Sequence, residues 1–501
     1  MRRLTIPWSG VLAAVGLGLT ACGALPADGL DGPVLATEAL RPDNPARESF
    51  GFDPGDTVEI LDSPGGDFRV HYARAGRCAV PDTDLDGNLM PDYVEDTAAV
   101  YDDVLTFYRD ALGFRAPLAD DGIGDNGGDG RFDVYLVDFG GNSDGMLGVD
   151  GCLNANPDQC VGYMLQENDF ARSQDYRYSS LHVATQILAS HEFFHAVQNA
   201  YDGYQGSILS EGTATWASEA YNAALPDFEK AIQAYMDNPD QPIDTPMPGM
   251  SFNYSTAIFF EFLAERLGQD AVRKIYEASE NGANGVSDPS WFAALPDVIS
   301  SYGQGAFDRI FVDFATWNLF TGNRGDPAQS YALGRSYPRV RLDVVSPPYV
   351  DALVRIPHAA TKYFSVVPSG RTEMTAALVG PPEELADLHL RLTVERGPAF
   401  ETPLAVQDLQ AGTEVVSTDL ARTFIVFLVN TSTGGTSRRP GLCIGTPAEV
   451  TACKAQLNPT PPPPPTEEDP GGCLSATPTG PLAVVSSVAL LWRRRRGRRQ
   501  S

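Results

Sequence analysis

Histidine and cysteine are both scarce: 501 residues hold six of the first and seven of the second. So few cysteines exclude a disulfide-built scaffold. Positive charge is also short, since 36 Lys and Arg face 65 Asp and Glu and leave a formal net charge of −29, even with a cluster of arginines at the C-terminal end. That balance argues against nucleic acid as a partner and against docking on an anionic membrane, and makes calcium the more suitable counter-ion. Long hydrophobic runs are missing as well. Residues 11–19 are too short to span a bilayer, and residues 474–492 are interrupted by Pro478 and Pro481.

What is present at the two ends is a pair of export signals. Arg2 and Arg3, the apolar residues 11–19 and then Leu19-Thr20-Ala21-Cys22 form a signal peptide over residues 1–22. Its end resembles the lipobox of bacterial lipoproteins, whose Cys becomes the lipidated first residue; an ordinary cleavage site with an incidental Cys is the alternative. At the other end a Pro-rich linker, 458–471, precedes Gly472-Cys473, the apolar run and Arg493 to Arg499. Residues 472–501 resemble the MYXO-CTERM sorting tails of myxobacterial surface proteins, with a plain membrane anchor as the alternative. The resemblances imply a protein exported to the outer membrane or cell surface and tethered through lipid, tail or both.

The chain is organised around His191-Glu192-Phe193-Phe194-His195, within residues 180–202, a run without Gly or Pro that reads as one helix. With this little histidine, composition alone would produce an H-E-x-x-H pattern on the order of 0.01 times or less. At ~100° per residue, His191 and His195 lie about 40° apart on one face, where both imidazoles reach one cation. Zinc fits such a pair, and Glu192 beside it can act on a metal-bound water as general base. The following helix, 210–221, carries Glu211 and Glu219 as candidate third ligands.

The spacing H-E-x-x-H, fifteen residues, then Glu211-Gly212-Thr213-Ala214 resembles the gluzincin metallopeptidases. The resemblance implies His191, His195 and Glu211 as Zn²⁺ ligands, Glu192 as base, and a peptide or protein as substrate. Glu219 lacks the Gly-x-Ala context and is the rival ligand. Tyr254 opens residues 252–268, an apolar helix ended by Gly268, and resembles the oxyanion-stabilising tyrosine of leukotriene-hydrolase-like aminopeptidases. An aromatic packing role is its alternative. In that aminopeptidase branch a G-x-M-E-N element binds the substrate amine; here Gly162-Tyr-Met-Leu-Gln-Glu-Asn168 has two extra residues, so whether Glu167 faces the cleft stays open. The looser match favours an endopeptidase over an aminopeptidase. A non-catalytic, calcium-stabilised surface binding protein is the rival from another class.

Residues 82–95 spell an EF-hand-like loop. From Asp84, the residues Asp84, Asp86, Asn88, Met90 (through its carbonyl), Asp92 and Glu95 occupy the ligand positions of a Ca²⁺ site. Leu89 stands where a Gly is usual because the backbone turns to positive φ. Asp125, Asp129 and Asp133 form a weaker second candidate. Residues 161–167 read as a strand, and the gluzincin resemblance implies that it is the edge strand that pairs with substrate backbone. His182 lies about 180° from the zinc face and reads as a core histidine. His71, His358 and His389 carry no motif. Cys152 with Cys160 and Cys443 with Cys453 are close pairs, and Cys78 is left over.

The fold class expected is α+β: a zincin-like metallopeptidase domain over 57–335, with a tether or propeptide over 23–56 before it. Period-two runs over 336–457 indicate a β-sandwich after it.

Overall fold

A computed structural model describes residues 40–458 except 48, 122–125, 154–155, 174–177, 248, 250, 281–288 and 398. The signal peptide, the sorting tail and Asp125 lie outside the described residues, which all belong to one unit ending at Asn458.

The first layer is a five-stranded sheet. Strands β1 (Val58–Asp62) and β2 (Phe68–Ala73) form an antiparallel hairpin, and helix α1 (Asp92–Thr106) follows. Then come β3 (Phe132–Val137), β4 (Gly145–Leu153) and β5 (Asn156–Glu167), in the order β1-β2-β3-β5-β4. Strands β2, β3 and β5 run parallel, and β4 turns back antiparallel on β5. Residues 161–167, expected as the edge, are therefore interior. Their near-continuous apolar run, buried on both faces, is what a central strand requires. The edge strands are β1 and, beside β5, β4.

The back of this sheet is closed by residues 40–52. Phe50 and Phe52 pack on Cys78, Tyr135, Val137 and Phe139, while the Arg41 guanidinium, 1% exposed, meets Asp120 and Asp150 at 2.6 Å each and also Asp133. Three carboxylates on a buried face need that counter-charge. The ordered fold thus begins before Thr57, within the stretch expected to be a tether.

Helices cover the front. Helix α2 (Leu181–Asn199) starts at Ser180, whose side chain accepts from Val183 N, and sets Phe193 edge-on to Phe68 and Phe132. Then come α3 (Ser207–Tyr221), the short α4 (Phe228–Ala231) and α5 (Gln233–Asp237), α6 (Ser251–Ser255) and α7 (Ala257–Leu267). The single helix expected over 252–268 is broken at Thr256, whose hydroxyl bonds the Asn253 carbonyl. Helices α8 (Ala271–Ser279), α9 (Trp291–Ser301) and α10 (Phe307–Leu319) complete the layer.

The remainder is β-rich: β6 (Asp343–Val345), β7 (Tyr349–Asp351), β8 (Ala360–Val366), β9 (Glu373–Val379), α11 (Pro382–Leu385), β10 (Leu388–Arg396), β11 (Ala399–Phe400), β12 (Leu404–Val406), β13 (Val416–Ser417), β14 (Thr423–Asn430), β15 (Gly441–Gly445) and α12 (Pro447–Leu457). One sheet runs β11-β10-β14-β8-β6 with β12 also on β10, and the other β13-β9-β15-β7. On β14 the side chains alternate: Phe424, Val426 and Leu428 meet Met374, Leu378 and Ile444 of the facing sheet. Ile425, Phe427 and Val429 point the other way and join the helical core. Disulfides link Cys152 to Cys160 and Cys443 to Cys453, and Cys78 is a buried free thiol.

Candidate metal centre

Helix α2 puts His191 and His195 one turn apart on the flank that faces α3, with ring centroids 5.2 Å apart and planes near perpendicular at 86°. Glu211, in the second turn of α3, completes a trio. Its Oε2 stands 3.3 Å from His191 Nε2 and 3.7 Å from His195 Nε2, and one ligand atom of each residue lies within 4.8 Å of the others. Donors held by one tetrahedral zinc at ~2.0–2.1 Å lie about 3.3 Å apart, so the two imidazoles and the carboxylate fit that ion. The three side chains are 15%, 14% and 13% exposed, so the site is recessed yet reachable.

Electrostatics separate the two glutamates here. Burial pushes the Glu211 carboxyl up, but the His191 hydrogen bond, the charge of both imidazoles and the Tyr254 hydroxyl outweigh it and hold it at about 2. Glu192 has Oε2 3.9 Å from His195 Nε2; burial pushes it up to about 7, with His195 opposing and Glu211 adding. One carboxylate is therefore a fixed anion and the other a proton acceptor near neutrality.

Tyr254, on α6, stacks on His191 with centroids 5.6 Å apart and planes at 16°, and its hydroxyl reaches the Glu211 carboxylate. Glu219 is elsewhere. Two turns on from Glu211, it is 6% exposed and takes a 3.1 Å hydrogen bond from Tyr337, outside the trio. Glu167 is turned away too: β5 alternates, so Glu167 shares a face with Tyr163 and Leu165 on the back of the sheet, where Phe139 N donates to it at 2.8 Å. The question left open for Glu167 is thus answered by the parity of β5. A side chain with no motif borders the site, Gln198, which bonds His195 and Thr213. Position 198 is one turn past His195 on the ligand face, the only sequence signal it carries.

The acidic loop holds Asp84, Asp86 and Asp92 with oxygens within 4.8 Å of one another. Asp84 accepts from the backbone N–H groups of Gly87 (2.8 Å), Asn88 (3.2 Å) and Leu89 (2.9 Å). The Asn88 amide donates to Asp86 at 3.1 Å and to Glu95 at 2.8 Å, and Met90 N donates to Asn88 Oδ1 at 2.7 Å. Leu89 adopts φ +70° as the loop demands, with its side chain 80% exposed. Of the second candidate, Asp125 lies outside the described residues, while Asp129 pairs with Arg69 and Arg131, and Asp133 with Arg41 and His71.

The other histidines stand apart from the site. His182 is 52% exposed and pairs with Asp96 at 2.7 Å, so it is a surface residue on the flank of α1 and not a core one. His71 bonds Asp133, and His358 bonds Asp244 at 2.8 Å.

No family model matches the chain, and no curated protein does. Among solved structures it is similar to Legionella pneumophila aminopeptidase A in complex with aspartic acid, at TM-score 0.33 and 10% identity, over 76% of this chain and 36% of that one. The chain spans little more than a third of that structure's length, and a likeness this slight carries no argument about function.

Proposed function

We propose that the protein is an exported, surface-anchored zinc metallopeptidase cleaving peptide bonds within a protein or peptide substrate. One observation carries the reading: Nε2 of His191, Nε2 of His195 and Oε2 of Glu211 converge with the Glu192 carboxylate alongside. A core helix with incidental histidines has no reason to bring two imidazoles and an acidic glutamate together at a recessed surface. Bound by these three donors, zinc supplies a Lewis acid and lowers the pKa of water towards neutrality. Glu192 takes the proton from the attacking water and returns it to the leaving amine. The Tyr254 hydroxyl donates to the oxyanion that develops on the former carbonyl.

The antiparallel free edge of β4 holds the substrate backbone extended, through main-chain hydrogen bonds that ignore side-chain identity. Endopeptidase action is favoured because Glu167, the candidate hook for a substrate amine, faces the back of the sheet. The two disulfides support an oxidising compartment. Lipidation at Cys22 and sorting through residues 472–501 supply the anchors. No helix among the described residues is long and apolar enough to cross a membrane. Ca²⁺ in the loop from Asp84 to Glu95 steadies the start of α1.

The test compares zinc content and cleavage of an unfolded protein in the parent and in Glu192→Gln. Both should hold about one zinc, and the variant should lose activity by a factor on the order of 10² or more. Equal cleavage by both would remove Glu192 as base, and absence of zinc from the parent would remove the reading. An amino-terminally blocked peptide should still be cut; loss of cleavage on blocking would mark an aminopeptidase.

A further inference from the structure

We infer that Gln198 sets the tautomer of His195 and registers the two ligand-bearing helices against each other, a positioning role that rests on the metallopeptidase reading. Gln198 lies one turn after His195 on α2 and is 4% exposed. Its amide orientation follows from its neighbours. Nε2 donates to the Ser210 carbonyl at 2.8 Å and to Thr213 Oγ1 at 3.0 Å. A carbonyl only accepts, so the amide nitrogen must face it and Oε1 must face the other way, towards His195 Nδ1 at 2.9 Å. His195 therefore carries a proton on Nδ1, and Nε2 is the nitrogen aimed at Glu211 and left for a metal.

The network closes beyond Gln198. The Thr213 hydroxyl donates to the Leu209 carbonyl at 2.7 Å, which leaves its lone pairs for Gln198 Nε2 and for the Tyr276 hydroxyl at 2.8 Å. Ser210 and Thr213 flank Glu211 on α3. One carboxamide on α2 thus bonds the Ser210 backbone carbonyl and the Thr213 side-chain hydroxyl, before and after the third ligand, while orienting the second. A carboxylate at position 198 could orient His195 but could not donate to the Ser210 carbonyl, and it would add negative charge beside Glu192 and Glu211. A neutral group that both accepts and donates meets the two demands together.

The test uses the full chain and two readouts: ¹⁵N spectra of the histidines in zinc-free protein, where only six need assignment, and zinc affinity by chelator competition. In the parent, His195 should be the Nδ1–H form. Gln198→Leu should lose that preference and weaken zinc binding about 10- to 100-fold. Gln198→Glu retains the acceptor, so it should keep the tautomer and shift the His195 Nδ1 proton downfield. Parental tautomer and affinity in Gln198→Leu would overturn the inference. Should that variant not fold, an unmoved Nδ1 proton in Gln198→Glu would overturn it equally. A parent that binds no zinc would defeat the metallopeptidase reading, while the zinc-free spectra would still decide the role of Gln198.

Discussion

Three glutamates on two adjacent helices are driven to different charge states by what surrounds them. Glu211 faces two imidazoles and a phenol and is held ionised, whereas Glu192 has one imidazole partner and sits near neutrality. Glu219 is desolvated with only Tyr337 to help it and Glu229, Asp227 and Glu265 to oppose it, so burial pushes it up to about 8. It is protonated in the fold at neutral pH. Because the unfolded chain releases that proton above its ordinary value near ~4.5, stability falls as pH rises from there to about 8 and then levels off. Glu219→Gln should remove this residue's share of the slope: melting temperatures of parent and variant alike near pH 4, and the variant higher near pH 8. Parallel melting curves across that range would show Glu219 to be ionised in the fold. Tyr254→Phe belongs to the same scale. Stacking on His191 is retained, so zinc content should hold while kcat drops by about 10²-fold, the usual effect of losing one oxyanion donor. A fall in zinc content instead would assign Tyr254 to ligand support. That His191, His195 and Glu211 come together was legible in the sequence because helical spacing alone puts His191 and His195 on one face. Glu211 was preferred over Glu219 by its Gly-x-Ala setting, and the burial that diverts Glu219 towards Tyr337, 118 residues away, leaves no local mark.

At the scale of elements, helices and strands were readable while their neighbours were not. Periodicity tells how one segment divides its faces, but the partner along a sheet edge is set by residues far away in sequence. Strand β5 shows the difference: its apolar run was visible, yet its interior place follows only once β4 folds back against it. The acidic loop was readable for the opposite reason, since its acidic side chains are all local. Its cost was readable too. Leu89 at φ +70° occupies a region that disfavours side chains by about 1 kcal/mol. A calcium ion drawing the loop oxygens together would offset that cost. Millimolar Ca²⁺ should raise the melting temperature of the parent, and Asp84→Ala should abolish the rise. An unshifted melt with Ca²⁺ in the parent would leave a solvated acidic cap on α1. Ser180→Ala, at the head of α2, should lower stability by about 1 kcal/mol through the lost cap to Val183 N, without touching His191, His195 or Glu211.

For the whole molecule, the decisive feature is that β14 serves two cores. Its even-numbered residues fill the space between the two β-sheets, and its odd-numbered ones finish the helical core that carries the site. Phe427 is fully buried on the helical side and stacks on Tyr363, whose hydroxyl bonds the Ala315 carbonyl of α10 at 2.7 Å. The sequence showed a change of texture near residue 336, and a break in periodicity is silent about whether the parts share a core. Because they do, the helical part depends on the β-part to close its core beside α10, where Tyr363 reaches Ala315. Phe427→Ala should cost about 3–5 kcal/mol and move one cooperative transition for the entire chain, not a β-part transition alone. A chain ending at residue 335 should bind a hydrophobic dye strongly, melt without cooperativity and fail to hold zinc. The outcome that would sink this is a truncated chain with a cooperative melt at the parental temperature and one bound zinc. The β-part would then be an appended module, and the site would need nothing from it.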